Sequence, residues 1–182
     1  MRRRNLLAGL ASVGALGGAG AVATGNAPAA LGIGSDGAEP VEPVTLTTVD
    51  APGSRDGEVV IPADGRATFV DFFGTWCPPC AEQMPALGEA HDRVGDDVLF
   101  TSVTNEDVGD DVSESDVADW WREHDGDWLV AADVTAELAA KLDVGGYPTA
   151  VALDADGRVA WSDSGVHTAD ELVAGIETAL NR

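Results

Sequence analysis

Cys77 and Cys80 are the only cysteines among 182 residues, and two residues separate them. On the first turn of a helix, side chains three positions apart lie one above the other, close enough for a disulfide without backbone movement. The chemistry open to such a pair is thiol–disulfide exchange, in which one thiolate attacks and the other thiol resolves. Cys77 would take the helix N-terminus, where free amides and the helix dipole favour a thiolate, and would be the exposed, attacking sulfur. Cys80, one turn further in, would be more buried and would act second. Pro78 and Pro79 suit the first helical positions, which need no N–H. They also remove two amides that could have faced the Cys77 sulfur, so backbone stabilisation of the thiolate is moderate. That favours a reductant over a strong oxidant.

Two other uses of the pair are weaker. A tetrahedral zinc site needs four ligands; there is no second Cys-x-x-Cys, and His91, His124 and His167 are scattered without ligand spacing. A purely structural disulfide across so short a loop constrains the unfolded chain little. Neither a metal nor a cofactor is expected.

The pair must sit where a strand turns into a helix. Residues 67–73 are apolar, β-branched and aromatic, the pattern of a buried strand. Residues 81–94 have helical spacing, with Met84, Leu87, His91 and Val94 on one side and Pro85 expected to kink the helix. Asp71 interrupts the strand. A lone acid in an apolar strand is costly to bury, which favours a raised pKa and proton exchange with the Cys80 thiol; the competing reading is a strand-edge acid facing water.

Around this centre, residues 44–49 and 58–61 read as a hairpin before the central strand, and residues 98–103 as the next strand, followed by an acidic loop at 104–111. Ser113 or Ser115 caps a helix to about His124 that carries Trp120 and Trp121, one packed inward and the other at the surface. Residues 128–131 form a short strand, and Thr135 caps a short helix over 136–142. Residues 150–153 and 158–162 pair across a turn at 154–157. Thr168 caps the last helix, 169–180, with Leu172, Val173, Ile176 and Leu180 at core spacing. Strand–helix alternation ending in a hairpin and a helix indicates an α/β domain with a mixed sheet covered on both faces.

Charge and length narrow the classes further. Acids outnumber bases 32 to 10, for a net charge of −22, and Lys141 is the only lysine. Such a surface repels nucleic acid and anionic membranes. A globular chain this acidic suggests a halophile's protein, kept soluble where molar salt screens its self-repulsion. Disorder is the alternative, but 45% hydrophobic content and periodic apolar segments argue against it. Residues 1–30 read as an export signal: Arg2-Arg3-Arg4-Asn5-Leu6-Leu7 resembles a twin-arginine signal ahead of a mildly apolar Gly/Ala stretch, with small residues for cleavage at 21–23 and 27–29. No cysteine there can carry a lipid. Left uncleaved, the segment is an N-terminal anchor. Residues 31–43 form a Gly/Pro/acid linker, leaving residues 44–182 as the folded domain.

The motifs together resemble the thioredoxin superfamily. They are Val70-Asp71-Phe72-Phe73-Gly74-Thr75-Trp76-Cys77-Pro78-Pro79-Cys80, then Tyr147-Pro148-Thr149, then Asp154-Ala155-Asp156-Gly157. Gly74-Thr75-Trp76-Cys77, the Met84-Pro85-Ala86-Leu87 run and the extra N-terminal hairpin look most like its exported TlpA/ResA/CcmG-type branch. The resemblance implies a thioredoxin-like fold and an exported thiol-disulfide oxidoreductase that reduces protein disulfides. Cys77 would attack, Cys80 would resolve the mixed disulfide, and Asp71 would take part in proton transfer. Pro148 would be the family's cis-proline, whose loop pairs with substrate backbone. Tyr147 would touch the substrate and Trp76 would belong to the docking surface. Implied partners are protein thiols and disulfides, an apocytochrome c with a CxxCH site among them, and a membrane thiol donor, with the chain acting as a monomer. One position departs: the branch often has Glu three residues after the second cysteine, and here Gln83 stands there, with Glu82 beside it. Two further functions are weighed. A redoxin-type thiol peroxidase needs a Thr-x-x-Cys setting, whereas Thr75 lies two before Cys77. A non-catalytic binding module would leave the proline loop and Asp71 without a purpose.

Overall fold

The computed structural model describes residues 39–182; the expected export signal, residues 1–30, and most of the expected linker lie outside the described residues. Strands β1 (Val44–Thr48), β2 (Gly57–Ile61), β3 (Thr68–Phe73), β4 (Leu99–Thr104), β5 (Leu129–Ala132), β6 (Thr149–Leu153) and β7 (Val159–Ser164) form one sheet in the order β2-β1-β5-β4-β3-β6-β7. The middle strands β3, β4 and β5 run parallel. The hairpin β1–β2 joins antiparallel through β1 to β5, and β6–β7 joins antiparallel through β6 to β3. The N-terminal hairpin expected from residues 44–61 is therefore an extension of the main sheet.

All six residues of β3 are buried, because the strand is flanked on both edges and covered on both faces. Its side chains alternate between two cores. Phe69 and Phe73 enter one core with α1 (Pro78–Val94), α2 (Glu114–Glu123) and α4 (Ala169–Leu180), whose Leu87, Trp121, Leu172 and Ile176 pack there. Val70 and Phe72 enter the other with β1 and α3 (Glu137–Lys141), through Leu46, Leu138 and Leu153. Each such side chain contributes roughly 1.5–3 kcal/mol by leaving water, so β3 fixes the sheet from both sides.

Helix termini follow local chemistry at three of four places. Ser113 and Thr168 each close a capping box, with Asp116 and Glu171 reaching back. Cys77 itself is the N-cap of α1, and Pro78 and Pro79 occupy its first two positions. The helix continues through Pro85 to Val94. The expectation for α3 is corrected: Thr135 does not cap it. Ala136 precedes it in the left-handed region without a side-chain cap, and the Ala139 N–H instead donates to the Asp133 carboxylate at 2.9 Å. No helix among the described residues is long and apolar enough to cross a membrane.

Candidate active site

The register gathers the motifs at one end of the sheet. Phe73 pairs with Thr104 and Thr104 with Ala132, so the loops after β3, β4 and β5 leave together. Thr149 pairs with both Phe72 and Ser164, so the loop before β6 and the loop after β7 arrive at the same end. The Gly165 N–H donates to the Pro148 carbonyl at 2.9 Å and ties those two loops.

Cys77 and Cys80 are disulfide-bonded across the first turn of α1, with Cα atoms 5.3 Å apart. The prolines leave one amide for the Cys77 sulfur: the Cys80 N–H donates to Sγ at 3.2 Å. The expected contrast in exposure is much smaller than the sequence suggested. Cys77 is 5% accessible and Cys80 1% in this oxidised form, so Cys77 is not exposed. Both belong to the same core as Phe69 and Phe73. A helix N-terminus is open to solvent only if the surrounding loops leave it so, and here it lies at the end of the sheet where the other loops gather.

Asp71 points, by the alternation of β3, into that same core. It is 2% exposed, which disposes of the strand-edge reading. Desolvation raises its pKa from the ordinary 3.8 to about 7, opposed by one hydrogen bond from Ser102. That hydroxyl donates to Oδ2 at 3.3 Å, while Oδ1 is buried without a partner. Burial thus moves the carboxyl's titration up to near neutral pH, on the face of β3 whose core also holds the disulfide.

Trp76 is 66% exposed and meets Tyr147 edge to face, with ring centroids 5.9 Å apart. A Cβ on Gly74 would come within 3.0 Å of the Trp76 indole, so glycine lets the ring lie back over the loop. The Tyr147–Pro148 bond is cis, and burial, partly opposed by a hydrogen bond with Asn105, raises the Tyr147 phenol pKa. Of the tryptophan pair, Trp121 is buried and donates to the Pro52 carbonyl at 3.0 Å, while half-buried Trp120 stacks on Phe73 and His124.

Three side chains at the site carried no local signal. Glu106, in the loop after β4, accepts the Thr75 N–H at 2.7 Å, the Thr75 hydroxyl at 2.8 Å and the Thr104 hydroxyl at 3.0 Å. It pins the loop that leads into Cys77. Ser102 bonds Asp71, and the Trp128 N–H in turn donates to Ser102 Oγ at 2.9 Å. An acid just past a strand parallel to β3 was the one hint available for Glu106. Gln83, the departing position, is 1% exposed and clamps the backbone of His167: it accepts that N–H at 2.6 Å and donates to that carbonyl at 3.1 Å. A glutamate could accept the first but, ionised, could not donate the second. Glu82 is exposed. Among the described residues no cluster of His, Cys, Asp and Glu could hold a metal ion.

Comparison with known proteins fits this geometry. The Redoxin family model matches residues 45–180. The thiol-disulfide oxidoreductase ResA of Bacillus cereus is 28% identical over 110 residues, 59% of this chain and 60% of that protein. Sporulation thiol-disulfide oxidoreductase A of Bacillus subtilis is 24% identical over 63% of this chain and 69% of its own length. The chain thus spans about 60% of the length of the ResA relatives it matches. Among solved structures, StoA from Bacillus subtilis superposes with a TM-score of 0.61 at 23% identity, over 75% of this chain and 98% of that one. A thiol:disulfide interchange protein DsbE from Chlorobium tepidum gives 0.64 at 20% identity, over 79% and 96%. These structures share the thioredoxin-like fold.

Proposed function

Because the chain belongs to the redoxin family, we propose that it is a protein thiol-disulfide oxidoreductase working through a Cys77/Cys80 dithiol–disulfide cycle. The observation that carries the reading is the bonded pair at the N-terminus of α1 with, on the same face of the sheet, a buried Asp71 whose pKa is raised to about 7. In the reducing direction the Cys77 thiolate attacks a substrate disulfide and expels one substrate thiolate. The Cys80 thiol then gives its proton to Asp71, and its sulfur attacks Cys77. The Cys77–substrate bond breaks, the second substrate thiolate leaves, and the substrate gains the two electrons that the pair loses. A single amide on the Cys77 sulfur supports reduction as the working direction, since a weakly stabilised thiolate makes the dithiol form the better donor.

Trp76, Tyr147 and Pro148 form the substrate-docking rim in this reading, and Glu106 positions the loop beneath it. Substrates are protein disulfides, an apocytochrome c with a CxxCH site being one candidate. A membrane thiol donor restores the pair. Thr75 supports this over a thiol peroxidase, because its N–H and hydroxyl are both taken by Glu106. Export, by the arginine-led residues 1–30, and a saline environment, by the net charge of −22, complete the proposal.

Insulin-disulfide reduction with excess dithiothreitol tests it. Cys77→Ser should abolish turnover, and Cys80→Ser should instead accumulate mixed disulfides at Cys77, whose partners mass spectrometry identifies. A Cys80→Ser variant that turns over at the wild-type rate contradicts the cycle.

A further inference from the structure

Asp71 does not stand alone in its core. Its register partner on β4 is Ser102, and Trp128, just before β5, reaches Ser102 from the other side. All three are buried: Asp71 2%, Ser102 0% and Trp128 3% exposed. The three groups have one possible polarity. An indole N–H only donates, so Ser102 Oγ receives the Trp128 proton. The one proton of the serine hydroxyl is then free to go to Asp71 Oδ2, 3.3 Å away. With Oδ2 already accepting, a proton taken up by Asp71 resides on Oδ1, the oxygen with no partner in the protein.

We propose that Ser102 and Trp128 are positioning residues of the site: their one-way hydrogen-bond relay, Trp128 to Ser102 to Asp71, orients the carboxyl and reserves Oδ1 as its proton-exchanging oxygen. The proposal deepens, and rests on, the reading of Asp71 as proton acceptor for Cys80. When the mixed disulfide is resolved, the Cys80 S–H proton passes to Oδ1, the Cys80–Cys77 bond forms, and the Cys77–substrate bond breaks with release of a substrate thiolate. The relay itself moves no proton. By donating to the carboxylate it favours the ionised acid, and so opposes the desolvation that would otherwise hold Asp71 protonated.

Few other groups compete for this role. From α1 the titratable groups are Cys77 and Cys80 in the shared core, and His91, whose ring centroid is 5.6 Å from that of Trp128. β6 presents Ala150 opposite Asp71, and α4 brings Leu172, Val173 and Ile176. Tyr147 packs at the rim. No charged side chain among these offers Asp71 an ion pair, which leaves the serine hydroxyl as the polar control.

The test is a carbon-13 titration of the Asp71 carboxyl in the full, reduced chain, its resonance assigned by its absence in Asp71→Asn. Ser102→Ala should move the titration upward by roughly one pH unit, the worth of one hydrogen bond to a charge. Ser102→Thr, which keeps the hydroxyl, should restore the wild-type value. Trp128→Phe should shift it upward by less, because the serine stays but loses its fixed direction, and this variant carries the test if Ser102→Ala does not fold. The low-pH limb of the rate at which Cys80 resolves a Cys77 mixed disulfide should move with each titration. Unmoved titrations in both variants overturn the relay. If they shift while Asp71→Asn resolves the mixed disulfide like wild type, the relay stands and the proton-acceptor reading falls.

Discussion

The two cores that share β3 differ in kind. On one side Val70 and Phe72 meet Leu46, Ile61, Val103, Leu138, Val151 and Leu153, an almost wholly aliphatic layer. On the other, Phe69 and Phe73 share a core with Trp128 and the disulfide, and Asp71 and Ser102 are hydrogen-bonded into it. One strand thus carries aliphatic and aromatic packing on its even-numbered residues and, in the proposed cycle, chemistry on its odd-numbered ones. The acid raised to about pH 7 costs the protein stability that the aliphatic side must supply. Division of labour across a single strand explains how a core can hold a carboxyl without an ion-pair partner together with a disulfide and still close.

The largest effect that would sharpen this contrast is on the aliphatic side. Phe72→Ala should cost about 3–5 kcal/mol by cavity formation, measured by denaturant melting. The folded fraction should keep its thiol chemistry, with iodoacetamide labelling Cys77 before Cys80 in the reduced protein. Changed labelling order would mean that the two sides are not separable.

On the chemical side, Asp71→Asn should act in the opposite sense on stability. In the wild type the folded state holds a proton up to about pH 7, while the unfolded acid releases it near 3.8. Between those values the folded state binds more protons, so its stability falls as pH rises and levels off above 7. Asn does not titrate. The variant should therefore gain on the wild type through this window, by up to about 4 kcal/mol less the cost of burying the amide. Parallel stability profiles would place the carboxyl in water.

Gln83→Ala should follow, with a loss of about 1–3 kcal/mol from unsatisfied His167 backbone groups; a smaller loss for Gln83→Glu than for Ala would show that the accepted N–H dominates. Salt should discriminate least. Lowering it from molar to tens of millimolar should depress Tm in wild type, Phe72→Ala and Asp71→Asn alike, because the repulsion lies on the surface and not in either core. The five ion pairs among the described residues, all on accessible side chains, do little to offset it. A Tm that is flat with salt would contradict the saline environment.

What could be read from the sequence was local. The buried run of β3, the cysteine spacing on α1 and the Thr168 cap each depend on residues within one turn or one strand, so periodicity and cap chemistry suffice. The relay was not legible, because Ser102 meets Asp71 only through the parallel register of β3 with β4, 31 positions along the chain, and Trp128 meets Ser102 from a further 26 positions on. Glu106 escaped for the same reason, 31 residues from Thr75. Cys77's burial depends on loops from distant parts of the chain arriving together, and the α3 cap on an aspartate two residues before the threonine that looked right. Gln83 read as a missing acid; its neighbour 84 positions away, His167, gives it a different use.

The central claim is that the odd-numbered side of β3 moves a proton for the dithiol. Insulin reduction by wild type and Asp71→Asn, followed across pH with excess dithiothreitol, tests it most directly. Asp71→Asn should slow turnover roughly ten-fold near neutral pH, the low end of general-base assistance because a thiol needs little help. The gap should close at alkaline pH as Cys80 ionises unaided. Equal turnover at every pH would contradict it.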